Sequence, residues 1–216
     1  ILDGLAAAGV EERIHIPVHI LRKLYPLLDN AKWKITISLV WNGDNWEIAD
    51  IESGDTTARH YGLAVDLGST TVVARLLDCN SSLILKEVSC FNRQIKWGTD
   101  ILSRIFYCKD DREKLEEVRR ATVESIVECM DKLGVQAEDS LSMVVAGNTT
   151  MIHFLLGMDA FCVFYTPHAV HGDAPGFQPA REIGIPIKGY VYCYPAKSNY
   201  LGGDIISGMI DTELYK

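Results

Sequence analysis

The chain has 216 residues, 48% hydrophobic and 23% charged, which excludes fibrous and disordered classes and leaves room for one large domain or two modest ones. Lysine and arginine number 21 against 29 aspartates and glutamates, and the net charge of -8 speaks against a nucleic-acid binder that works by phosphate neutralisation. Six cysteines without a C-x-x-C pair exclude a zinc ribbon or an iron–sulfur cluster held by this chain alone, and no apolar run approaches the roughly 18 residues of a membrane span. A cytoplasmic protein with free thiols is the reading that remains, and Ile1, with neither an initiating methionine nor a basic leader, reads as the middle of something longer.

Ile16, Ile20, Leu21, Leu24, Leu27 and Leu28 form a stripe that predicts a helix from about Val18, with Pro17 in its first turn, where a missing N–H costs little. Ile35, Ile37, Leu39 and Trp41 alternate with Lys34, Thr36 and Ser38, and residues 46–51 resume the extended pattern after Asn42-Gly43-Asp44-Asn45, which predicts a β-hairpin. Residues 52–60 are polar and turn-rich, and a domain boundary is placed there, giving a small α/β module over 1–60 and a second domain over 61–216. Residues 63–67, 71–77 and 83–89 read as three strands of an antiparallel meander. Residues 100–107 read as a helix. Residues 112–133 form a longer helix, with Leu115, Val118, Thr122, Ile126, Cys129 and Leu133 on the face laid against the sheet and Gly134 as its stop. A buried strand over 142–146, a short helix over 149–156, a Gly- and Pro-rich loop over 167–186, a strand over 190–194 and a helix starting at Asp204 complete an α/β layered domain.

Asp66-Leu67-Gly68-Ser69-Thr70-Thr71 lies between two predicted strands, not between a strand and a helix, so it is no Walker motif. A carboxylate ending a buried strand can hold a hydrated Mg2+, and Gly68 lets the turn approach a ligand while Ser69, Thr70 and Thr71 donate to phosphate oxygens. A hairpin turn built from the usual turn residues is the plain alternative. Gly147-Asn148-Thr149-Thr150 sits between a buried strand and a helix, a place for anion binding or simply for an N-cap. Gly202-Gly203-Asp204 repeats that design, with Asp204 as a cap, a Mg2+ group or a water-positioning group. His15 and His19 are spaced for one helix face, but Pro17 between them disturbs the helix that would align them, and His168 and His171 with Asp173 lie in a loop where solvent-facing polar side chains are the plain reading; a metal site is the weaker reading of both. Trp33, Trp41 and Trp46 read as core or an interface patch, and the charged run 110–120 as a solvated helix face.

Four ordered segments carry a family resemblance: Gly54-Asp55-Thr56-Thr57 followed by residues 61–71; Asn92-x-Gln94 with Gly98-x-Asp100-Ile101-x-Ser103-Arg104-Ile105; Gly147-Asn148-Thr149-Thr150-Met151-x-His153 with Leu155-Leu156-Gly157; and Gly202-Gly203-Asp204. Together the chain resembles the reductive activators of corrinoid proteins, ATP-dependent iron–sulfur proteins with an actin-like ATPase domain. The resemblance implies that residues 61–216 form the first, ribonuclease-H-like lobe of an actin/Hsp70/sugar kinase superfamily ATPase, preceded by a small middle domain. Asp66 to Thr71 becomes the first phosphate motif, with Mg2+ near Asp66, and Asp66 and Asp204 become the catalytic carboxylates. Residues 92–104, 147–150 and 202–204 are expected to line the ATP cleft. The family's iron–sulfur cluster belongs to a ferredoxin domain that these cysteines do not supply, and the second phosphate and adenosine motifs would follow Lys216. The implied partners are a corrinoid protein and an electron donor that the sequence does not name, in an anaerobic cell, without nucleic acid or membrane; the Trp-bearing hairpin offers a surface for a homodimer or another partner. A sugar or small-molecule kinase with Asp204 as base, and a non-catalytic binding module, are the alternatives. Arg93 departs from the small residue or Pro expected of the family, and Ile101 replaces the usual Val.

Overall fold

A computed structural model describes residues 1–10, 13–137, 139–164, 172–198 and 201–214, and two β-sheets organise them. The first unit contains α1 (Leu2–Ala7), β1 (Ile14–His15), α2 (Val18–Asn30), β2 (Ile35–Trp41) and β3 (Trp46–Ser53), with strand order β1-β3-β2. The predicted hairpin is present, Trp41 facing Trp46 across an antiparallel register. Those two rings meet edge to face at 5.6 Å, and Trp41 stays 39% exposed while Trp33 is 72% exposed, so the tryptophans are not core. Ile20, Ile48 and Ile51 form the small core beneath α2. Pro17 is the N-cap of α2 instead of a first-turn residue. β1, too short to show a period, pairs in parallel with β3 and was not foreseen.

The second unit begins with β4 (Tyr61–Leu67), β5 (Thr71–Asp78) and β6 (Leu83–Phe91), an antiparallel meander as predicted. It continues through α3 (Ile101–Tyr107), α4 (Arg112–Leu133), β7 (Ser142–Gly147), α5 (Thr149–Leu156), β8 (Gly176–Pro179), α6 (Ala180–Ile183), β9 (Tyr190–Cys193) and α7 (Gly203–Asp211). The strand order is β6-β5-β4-β7-β9-β8, with β7 parallel to both β4 and β9. Three antiparallel strands followed by parallel strands stacked on the first of them make this a ribonuclease-H-like sheet, with β8 added antiparallel at the far edge. Val118, Thr122, Ile126, Cys129 and Leu133 of α4 are buried against the sheet, the face that their spacing predicts. The Gly- and Pro-rich segment over 167–186 is not all loop, since it contains β8 and α6; residues 165–171, with His168 and His171, lie outside the described residues. A strand ending in Pro179 is tolerated because β8 is an edge strand.

The two sheets are fastened by side chains. Lys188 lies 3.0 Å from Asp50, 3.2 Å from Asp139 and 3.7 Å from Glu52, while Lys23 also pairs with Asp50. Tyr190 donates its hydroxyl to Glu47 at 3.0 Å, and the same carboxylate oxygen lies 2.8 Å from His15 Nδ1. No helix among the described residues is long and apolar enough to cross a membrane, and all six cysteines are free thiols.

Candidate functional site

Strand alternation decides where Asp66 points. Leu63, Val65 and Leu67 enter the core, so Asp66, between the last two, projects from the opposite face and is exposed. The strand is buried, as expected, but the carboxylate that it carries reaches solvent. Beyond it, Gly68, Ser69 and Thr70 form the whole connection to β5. A Cβ on Gly68 would fall 2.5 Å from the Thr71 carbonyl oxygen, so the tightness of the turn requires glycine. The side-chain hydroxyls of Ser69, Thr70 and Thr71 make no hydrogen bond among the described residues.

Parallel pairing brings the other two motifs to the same place. Leu67 sits opposite Gly147, and β7 runs beside β9, so the carboxyl ends of β4, β7 and β9 lie next to one another. A Cβ on Gly202 would come within 2.5 Å of Asn148 Cα and 2.8 Å of Thr149 N, and one on Gly203 within 2.6 Å of Tyr194 Cβ. The loops at 147–149 and 202–203 therefore touch through backbone, at the end of the sheet where α/β folds leave their ligand crevice. Asn148 caps α5 by accepting the Met151 N–H at 3.0 Å. Thr149 donates its hydroxyl to the Ser198 carbonyl at 2.7 Å and so holds the loop, and both Thr149 and Thr150 are buried and do not face open space. Gly202, not Asp204, is the N-cap of α7; Asp204 stands exposed in its first turn and accepts the Ile205 N–H at 2.9 Å.

The charge of Asp204 reaches Asp66. Loss of water around the Asp66 carboxyl, and next the negative charge of Asp204, push its pKa above the ordinary aspartate value; Arg75 opposes them less strongly. Two like charges held in one crease fit a cation, and the chemistry of two carboxylates suits a hydrated Mg2+ completed by water and phosphate oxygens. Among the described residues no group of three or more His, Cys, Asp or Glu gathers, so no metal cage of protein side chains alone is present. His15 is engaged with Glu47 instead of a metal partner.

Three polar residues of the segment 92–104 lie behind this crease and do not open onto it. Asn92, Gln94 and Arg104 have no exposed surface. Asn92 donates its backbone N–H to the Thr70 carbonyl at 2.8 Å and its side-chain amide to the Gly68 carbonyl at 2.9 Å. Its Oδ1 accepts the Gln94 N–H at 3.0 Å, capping a short 3-10 helix over Arg93–Trp97. Gln94 donates to Thr122 on α4 at 2.5 Å and accepts from Arg104 Nη1 at 3.1 Å, and Arg104 Nε donates to the Gly98 carbonyl at 3.0 Å. Asp100 is exposed and caps α3 through Ser103. Arg93 has an explanation in this setting: its guanidinium pairs with Glu124 at 3.2 Å and Glu128 at 3.0 Å on α4.

Comparison with known proteins identifies relatives over nearly the whole chain. Residues 1–58 match the model of the RACo linker region and residues 61–216 that of the RACo middle region. The corrinoid activation enzyme RamQ of Eubacterium limosum is 29% identical over 160 residues, which cover 71% of this chain and 27% of that protein. A solved structure described as a reductive activator for corrinoid, iron-sulfur protein superposes on 98% of this chain with a TM-score of 0.85 and 31% identity, using 35% of its own length. The chain thus spans little more than a third of the solved relative and about a quarter of the curated one.

Proposed function

Because this chain belongs to the RACo family of reductive activators of corrinoid proteins, we propose that it supplies the first ATP-binding lobe of a cytoplasmic protein that uses ATP to drive one electron onto an inactive Co(II) corrinoid, giving Co(I). The observation that carries the reading is the convergence of three motifs, 66–71, 147–148 and 202–204, at the carboxyl ends of β4, β7 and β9. In this reading the turn 68–70 and the free N-terminal N–H groups of α5 and α7 receive the phosphates. Asp66 and Asp204 hold Mg2+ through its water shell, and the dication neutralises the phosphate charge when bound. Residues 1–60 are read as a separate small domain, and 61–216 as a lobe completed by a second one that carries the remaining phosphate and adenosine contacts. The electron comes from an iron–sulfur domain whose cluster these six cysteines do not hold. Closure of the two lobes on ATP and their reopening would bias the complex with the corrinoid partner. Family membership gives no support to a sugar kinase or a vestigial binding module.

The test uses the full-length protein with a reduced low-potential donor and an oxidised corrinoid protein under anaerobic conditions, followed by visible absorption. Co(I) should accumulate with Mg-ATP and not without nucleotide. Equal accumulation in both would remove ATP from the function, and transfer of phosphate to a small hydroxylated compound without Co(I) would replace the reading with a kinase.

A further inference from the structure

The turn 68–70 has a built support behind it, and that support explains which way its N–H groups face. In a planar trans peptide the carbonyl and the following N–H point in opposite directions. Asn92 holds the Gly68 carbonyl with its side-chain amide and the Thr70 carbonyl with its backbone N–H, both from the buried side of the turn. The N–H groups of Ser69 and Thr71 are thereby directed away from Asn92. Were the Gly68 peptide to flip, a carbonyl oxygen would face an incoming phosphate and repel it.

Asn92 is itself held. Its Oδ1 takes the Gln94 N–H, and the Gln94 side chain is fixed at both ends, by Thr122 of α4 and by Arg104 of α3. Arg104 is fully buried, and its Nη2 has no hydrogen-bond partner among the described residues. A buried guanidinium satisfied at only two of its three nitrogens is a poor choice for packing alone. It makes sense as the far end of a strut that runs from α3 and α4 to the turn.

We propose that Asn92 is a positioning residue for the phosphate turn, braced by Gln94 and Arg104, and that it fixes the peptide after Gly68 so that the Ser69 N–H faces the nucleotide. This inference rests on the reading of 66–71 as a phosphate site. It assigns no ligand contact to Asn92 and makes the phosphate affinity of a half-buried turn depend on a side chain fully buried behind it.

The experiment uses the full-length protein and Asn92→Ser, a neutral change that removes the Gly68 contact and leaves the backbone bond to Thr70 and a cap for Gln94. ATP hydrolysis is measured as KM and kcat separately. A variant that merely folds less well loses active molecules and lowers kcat at unchanged KM, whereas a misaligned turn raises KM for ATP. The expected result is a rise in KM of tenfold or more. A folded variant with KM within twofold of the parent overturns the proposal. If the variant does not fold, amide hydrogen exchange of the parent decides: ATP should slow exchange at Ser69, and an unchanged rate there overturns the proposal as well. A parent protein that neither binds nor hydrolyses ATP is a different result, since it removes the phosphate-site reading first and this inference with it.

Discussion

The junction between the two sheets and the crease at the ends of β4, β7 and β9 use aspartates in opposite ways. At the junction, burial works to raise the Asp50 pKa, but Lys23 and Lys188 outweigh it and hold the carboxyl below its ordinary range. Every charge there has an opposite partner, and the cluster ties β3 to the loop before β9. In the crease, loss of water and the neighbouring Asp204 raise the Asp66 pKa. One cluster has its countercharges built in; in the other Arg75 offsets the repulsion only in part, and so the Asp66 carboxylate is available to a cationic ligand. Stability and binding are separated in space, and each can be broken without the other.

The largest effect is expected at the crease. Asp66→Asn should lower ATP-dependent Co(I) formation by about 100-fold or more, the scale of losing one electrostatic partner of a reacting phosphate. It should at the same time raise the melting temperature of the nucleotide-free protein by about 1–2 °C at neutral pH, because it removes a repulsion. The sign follows from the raised pKa: the stability linked to Asp66 is fully present below the unfolded pKa and is lost as pH rises through the folded one. The gain in the variant should therefore vanish on acidification to below the ordinary aspartate range. Circular dichroism melts at several pH values check this, and a melting temperature that falls at neutral pH would show that Arg75 outweighs the burial and the charge of Asp204.

Gly202→Ala is next. Its φ is -88°, so backbone strain is not the cause; the added methyl would meet Asn148 and Thr149 backbone, which cannot rotate away. Overpacking of this kind costs about 1–3 kcal/mol, or about 3–10 °C of melting temperature for a chain of this size. A variant that melts with the parent would mean that the two loops do not touch.

How much of this was legible in the sequence depends on the range of the interaction. The period of two in 63–67 and the period of three and four in 112–133 are local, so β4 and α4 were readable, and the same period places Asp66 opposite the core face. Asn92 and Gln94 read as polar lining because their partners lie far along the chain, Gly68 and Thr122, and a spacing cannot show a contact across 24 or 28 residues. β1 has two residues and β8 ends on a proline, so neither offers a pattern.

Breaking the junction should cost less stability than Gly202→Ala and, unlike Asp66→Asn, leave the ATP-dependent activity alone. Lys188→Met leaves Asp50 with Lys23 alone and Asp139 with a weak contact to Arg59 at 4.0 Å. The pairs are partly exposed, so the loss lies between the surface and buried limits, about 2–6 °C in melting temperature. Its pH dependence separates it from Asp66→Asn. A depressed pKa contributes stability that is present above the unfolded value and lost as pH falls through the folded one, so the deficit of Lys188→Met should persist through the ordinary aspartate range and close only below it. ATP affinity should be unchanged, measured on the same preparations.

Arg93→Ala marks the lower limit. The guanidinium reaches Glu124 and Glu128 on the surface of α4, where solvent screens the pairs and two flexible side chains must be ordered to make them. The change in melting temperature should stay within about 1–2 °C and shrink further in salt. Arg93→Pro is the sharper comparison, because the Arg93 N–H donates to Ser125 Oγ at 2.9 Å and a proline would delete that donor next to Asn92. If the alanine variant is neutral and the proline variant raises KM for ATP, the backbone at 93, and not its charge, supports the turn. Equal losses would instead place Arg93 itself in the brace.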